Sequence, residues 1–166
     1  MTMRTRNAIV LSADPKGHFI EGIIDGTPKP GQMVQIKAGV EPDDGGRLTY
    51  EVFNGAADGE RDEVLILCED AMQGKLPTSA YVDGDRCFIY APLAGDELQV
   101  LAANLTGTGS GTDDAFAIGD KLIVDDGTGK FIKTTGSPES EPFKVIETVT
   151  TLLGADQLIP VRCTGR

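Results

Sequence analysis

Tryptophan is absent from this 166-residue chain, histidine occurs once, and six Phe and three Tyr are all its rings. Sugar-binding modules stack their ligands on exposed aromatic side chains, so that class has little to build with here. With His18 the sole histidine, a Ser-His-Asp arrangement has one place to form, and a structural or solvated histidine at a strand edge explains it better. Cys68, Cys87 and Cys163 are an odd set with no C-x-x-C spacing, which spells neither a disulfide framework nor a zinc site. They read as small buried apolar residues. No run approaches the ~18 uninterrupted apolar residues of a membrane span, which speaks against a membrane partner. Met1 to Asn7 lacks the apolar stretch of a signal peptide, so the expectation is a protein made in a cytoplasm.

Positive charge is scarce in the middle of the chain. The net charge is −11, and all 26 acidic residues lie between Asp14 and Asp156. That stretch holds eleven basic residues, a net of −15, whereas Arg4 and Arg6 precede it and Arg162 and Arg166 follow it. Duplex nucleic acid is repelled by such a body, because phosphate binding relies on clustered Lys and Arg that release counterions. The basic ends are either solvated, frayed termini or contacts for an acidic partner.

Turn formers are plentiful, with 21 Gly and nine Pro. From Ile118 to Thr135 two short apolar runs are joined through Asp126-Gly127, which suits a tight reversal because Gly accepts positive φ and Asp tolerates it. The same grammar recurs roughly every ten residues, the spacing of a sandwich or barrel of strands. Strands are expected over Asn7–Leu11, Phe19–Ile24, Met33–Lys37, Arg47–Val52, Val64–Leu67, Arg86–Ala91, Glu97–Ala102, Phe143–Val149 and Leu158–Thr164. In Met33–Lys37, Val34 and Ile36 should face the core and Met33, Gln35 and Lys37 water. Glu69 to Gln73 could close one helical turn ending at Gly74. The fold class expected is all-β: a single antiparallel β-sandwich or β-barrel domain over 11–166, with at most one short helix. An extended arm over 1–10 precedes it, and a Gly/Asp-rich insertion spans about 38–63.

No motif declares a chemistry. Gly107 to Thr112 lacks the Lys and the following helix of a phosphate loop, and Asp113-Asp114 would repel phosphate. Asp83-Gly84-Asp85 and Asp125-Asp126-Gly127 offer paired carboxylates to Ca²⁺, but Asp-Gly is ordinary turn chemistry and no EF-hand spacing is present. Nothing nominates one acid pair among the 26 for two-carboxylate hydrolysis. Asn104-Leu105-Thr106 matches a glycosylation sequon, which means little without a secretion signal. No metal or other cofactor is expected.

The order of three pieces is more telling: the Pro30-Gly31 strand start, V-L-I-L-C-E-D-A-M-Q-G-K from Val64 to Lys75, and I-G-D-K-L-I-V-D-D-G-T-G-K-F from Ile118 to Phe131, followed by two closing strands. Together they resemble the capsid cement, or head decoration, proteins of tailed bacteriophages, over most of Phe19 to Val161. The resemblance implies a non-enzymatic β domain, often a homotrimer, that binds the outside of an icosahedral shell of major capsid protein and stabilises it in the virion. The polarity of the ends makes Arg4, Arg6, Asn7, Arg162 and Arg166 the contact candidates. The arm Met1 to Val10 could also pair with an exposed sheet edge of a neighbour or of the shell. The competing expectations are a trimeric β-barrel hydrolase using Asp83, Asp85, Asp125 or Asp126, and a Ca²⁺-dependent adhesion module.

Overall fold

A computed structural model of the chain describes residues 9–12, 15–55, 63–74, 76–103, 116–125, 127–133, 142–149 and 156–164. Within these the protein is all-β, as the turn spacing predicts. Five strands, β1 (His18–Ile24), β2 (Met33–Ile36), β3 (Thr49–Val52), β4 (Leu65–Leu67) and β5 (Arg86–Ala91), close into a barrel in the order β1-β3-β2-β4-β5. Five more close into a second: β6 (Glu97–Ala102), β7 (Lys121–Val124), β8 (Phe131–Lys133), β9 (Phe143–Val145) and β10 (Gln157–Cys163), in the order β10-β6-β8-β7-β9.

The two rings are the same ring. Laying β6 on β1 makes all five pairings of one barrel coincide with those of the other, in direction and in register. Ile24 opposite Tyr50 matches Ala102 opposite Phe131, and Val34 opposite Val52 matches Leu122 opposite Lys133. Met33 with Ile66 matches Lys121 with Lys144, and Leu67 with Ile89 matches Val145 with Val161. Ile23 with Arg86 matches Leu101 with Leu158, which closes each circuit without a slip. Antiparallel pairing, expected throughout, fails at one equivalent place in each barrel: β1 and β3 run parallel, as do β6 and β8. The chain reaches these pairs by crossing over β2 and β7, which a simple hairpin cannot do.

Each barrel has its own interior. Ile24, Val34, Tyr50, Leu67 and Ile89 fill the first, and Tyr81, from the β4–β5 connection, joins them at 1% exposure. Leu98, Val100, Leu122, Phe131, Phe143 and Val161 fill the second. The Phe131 and Phe143 rings meet edge to face, centroids 5.3 Å apart.

Between the barrels runs a seam that overturns one expectation. Met33, assigned to the wet face of its strand, is 1% exposed, because the outer face of barrel 1 is not outer. Met33, Ile66 and Tyr90 belong to the same buried cluster as the interior of barrel 2. Covering one such side chain contributes about 2 kcal/mol. Ile36, at the end of β2, is instead 48% exposed.

Two glycines permit the barrels to approach. Gly31 (φ +89°) gives its carbonyl to the Leu101 N–H at 2.9 Å, and a side chain there would meet Leu158 and the Leu101 backbone. Gly129 (φ +61°) accepts from the Met33 N–H at 2.7 Å, and a Cβ would run into the Met33 carbonyl oxygen.

Other expectations shift at the ends of elements. The helical turn expected over Glu69–Gln73 is a 3-10 turn, Ala71–Gln73, ended by Gly74 at φ +72°. The strand expected over Asn7–Leu11 reduces, among the described residues, to a bridge between Val10 and Leu98, and β9 stops at Val145 with Val149 bridging Phe116.

Candidate functional site

Among the described residues, a side chain that accepts four hydrogen bonds lies at the β5–β6 turn, which joins the barrels. Asp96 is 1% exposed. Its carboxylate accepts from the backbone amides of Lys16 (2.8 Å), Gly17 (2.9 Å) and Leu93 (2.9 Å) and from the Tyr90 hydroxyl (2.6 Å). Burial pushes the carboxyl up, but hydrogen bonds from Tyr90 and the amides hold it below the usual carboxylate range. Burial drives the Tyr90 phenol upward, and the bond to Asp96 adds to it. The group is a clasp: a fixed negative charge that pins the strand entering barrel 1 to the turn leaving it.

Two further polar contacts close the seam. The buried Gln32 side chain accepts from the Lys29 amide at 2.5 Å and donates to the Thr128 carbonyl of barrel 2 at 2.6 Å. The Glu69 carboxylate accepts from the Ile9 amide at 2.9 Å, holding residues 9–12 along β6. Beside Gln32 lies an open groove of about 390 Å³ lined by Lys29, Val52, Thr128, Lys130 and Asp156. Its Lys130 is paired with Asp156 at 2.6 Å.

The acids expected to serve catalysis or Ca²⁺ are engaged by backbone amides and a hydroxyl of turns. Asp83 accepts from the Gly26 amide at 2.9 Å and Asp85 from the Val82 amide at 2.9 Å. Asp125 accepts from the Thr128 hydroxyl at 2.7 Å, and Asp126 lies outside the described residues. Among the described residues no three His, Cys, Asp or Glu are placed to share a cation. His18 is exposed at the start of β1. Cys68, Cys87 and Cys163 are all buried free thiols, and burial raises Cys87 to about 12.

Of the contact candidates, Arg4, Arg6, Asn7 and Arg166 fall outside the described residues, as do Gly107 to Thr112 and the Asn104 sequon. Arg162 stands exposed on β10, its guanidinium 2.7 Å from Glu97 on β6. It therefore meets any partner with its charge already half answered. Nothing in the sequence pairs Asp96 with Tyr90; Asp96 reads there as one more turn former in Pro92 to Asp96.

No family model and no curated protein matches the chain. Among solved structures it is similar to the head fiber gp8.5 N base in bacteriophage phi29, with a TM-score of 0.50 and 13% identity over 89% of this chain and 94% of that one. The fold resembles that of a phage head fiber base. At such low identity the likeness is one of architecture. That architecture agrees with the all-β fold that the resemblance carried by the turns of Phe19 to Val161 implies.

Proposed function

We propose that this chain is a non-enzymatic structural protein of a phage head, bound to the exterior of the major capsid protein shell, which it stabilises. The observation that carries the reading is the fold match over nearly the whole chain to a head fiber base. The chemistry agrees with it. The buried carboxylates of Asp70 and Asp96 and the phenols of Tyr81 and Tyr90 spend their polar atoms on backbone amides, a backbone carbonyl, the Gln73 side-chain amide or one another. An acidic body stays dispersed at the high local density of a shell lattice. Arg4, Arg6, Asn7, Arg162 and Arg166 are the contacts proposed toward the shell or a neighbouring copy, and many copies attached at once let modest contacts hold collectively. The role is mechanical: more interface must break before the shell opens.

The test is incubation of the purified chain with expanded phage heads from which this protein has been removed, followed by sedimentation and imaging. Ordered density on the outer surface, with a raised temperature of head rupture, is the expected result. Heads that stay bare at saturating protein would overturn the proposal.

A further inference from the structure

The register match between the barrels exposes one place where they differ in what they bind. In β6, Glu97 and Gln99 turn their backbone groups away from β10, and residues 9–12 occupy that side. The Glu97 carbonyl accepts from the Leu11 (2.8 Å) and Ser12 (3.1 Å) amides, and the Gln99 N–H donates to the Ile9 carbonyl at 2.7 Å. The positions equivalent to Glu97 and Gln99 are Phe19 and Glu21 of β1. Antiparallel alternation spends the groups of Ile20 and Gly22 on β5 and turns those of Phe19 and Glu21 to the opposite side. Pairing with β3 begins only at Ile23, whose N–H meets the Leu48 carbonyl at 3.0 Å. Among the described residues no backbone group meets the outward N–H and C=O of Phe19 or Glu21. Both residues are exposed, Phe19 at 56% with its ring 4.9 Å from that of Tyr90. Four groups in a row that meet no partner among the described residues are a template for another strand.

We propose that this edge of β1 receives residues 1–8 of a second copy of the chain, added as a strand antiparallel to β1. Residues 9–12 of this same chain already satisfy the equivalent groups in barrel 2 with that polarity, Val10 bridging Leu98. Eight residues precede Ile9, a reach of about 26 Å when extended, enough to leave the home barrel while 9–12 stay on β6. Arg4 and Arg6, two apart, share one face of a strand. Laid along β1 they run beside the exposed Phe19 ring toward a body of net charge −15, past a Glu21 carboxylate that Arg47 at 3.1 Å and Arg86 at 2.6 Å already pair. Each arm then runs from barrel 2 of one copy to barrel 1 of the next, a head-to-tail contact that makes a closed ring where the rotation permits. The proposal goes beyond the head-protein reading and stands without it.

Sedimentation of the full chain across rising concentration, beside a chain lacking residues 1–8, tests it. The full chain is expected to exceed the 17.5 kDa of one copy as concentration rises, and the shortened chain to stay there. A synthetic peptide of residues 1–8 should bind the shortened chain and bind about tenfold more weakly when that chain carries Glu21→Pro, which removes the outward N–H but none of the β5 ladder. A peptide with Arg4 and Arg6 changed to Glu gives the same loss without touching the fold. Association that survives the deletion, or a full chain that never exceeds one copy, would sink the proposal. So would a Glu21 amide protected in the single copy and freed by the deletion, which would put the chain's own arm in the slot, or peptide binding indifferent to both changes.

Discussion

Barrel 1 and barrel 2 share a register but not a filling. Gly22 sits against the Tyr50 ring in the first, where a Cβ would come within 2.5 Å of ring carbons, and the equivalent positions in the second are Val100 and Phe131. A larger ring opposite no side chain and a smaller ring opposite a branched one are two ways to occupy similar space, which is what cores require of their residues. The starts of the equivalent strands β1 and β6 differ more. His18 is exposed in barrel 1, whereas its counterpart Asp96 is 1% exposed and anchors the clasp. Among the described residues one barrel therefore ends in an edge that no backbone group meets and the other in a buried charge, and the asymmetry gives the pair a head and a tail.

The sharpest way to break this comparison is to change the two equivalent positions in turn. Asp96→Ala leaves the Lys16, Gly17 and Leu93 amides and the Tyr90 hydroxyl without their acceptor and should cost about 4 kcal/mol in urea unfolding. His18→Ala should stay within about 0.5 kcal/mol. Next comes Gly129→Ala, which combines positive φ with a collision against the Met33 carbonyl and should cost about 3 kcal/mol. Gly127→Ala, also at positive φ but with nothing within 4 Å of its Cβ position, should cost about 1 kcal/mol.

Acid should reach the clasp before it reaches either interior. The Asp96 carboxyl is held below its ordinary value in the folded chain, so its contribution is fully present above the unfolded value of about 3.9 and is lost as pH falls through the folded one. Urea midpoints measured from about pH 6 downward should fall more steeply for the parent chain than for Asp96→Asn, which has no such proton to take up. Parallel curves would remove Asp96 from the account. The smallest effect belongs to Arg162→Ala, whose surface pair with Glu97 should be worth less than about 0.5 kcal/mol, so any loss of head binding in that variant reports on contact rather than on folding.

Much of the strand order was legible because turns write it. Arg86–Ala91 and Glu97–Ala102 lie where the Pro92 to Asp96 reversal sets them, and β7 and β8 flank the Asp126-Gly127 turn. The doubling of the barrel was not legible, because loops of unequal length shift the spacing between equivalent strands. One trace was available: Gly31 and Gly39 around β2 correspond to Gly119 and Gly127 around β7, all four at positive φ. Between them the side chains share little beyond apolar positions, Met33-Val34-Gln35-Ile36 against Lys121-Leu122-Ile123-Val124. Met33 was misplaced for a related reason. Alternation along a strand tells which side chains share a face, but not that a second barrel will cover the face away from the first interior. The clasp has no local signature, because Asp96 is held by residues far from it in sequence, Lys16 and Gly17, which no local pattern connects to it.

Amide hydrogen exchange at two equivalent positions tests the central asymmetry most directly. In a chain lacking residues 1–8, kept dilute, the Gln99 amide should exchange slowly, bonded to the Ile9 carbonyl, while the Glu21 amide exchanges at a rate close to that of an unstructured chain. Equal protection at the two sites would contradict an open edge on barrel 1 and, with it, the head and tail ascribed to this pair of barrels.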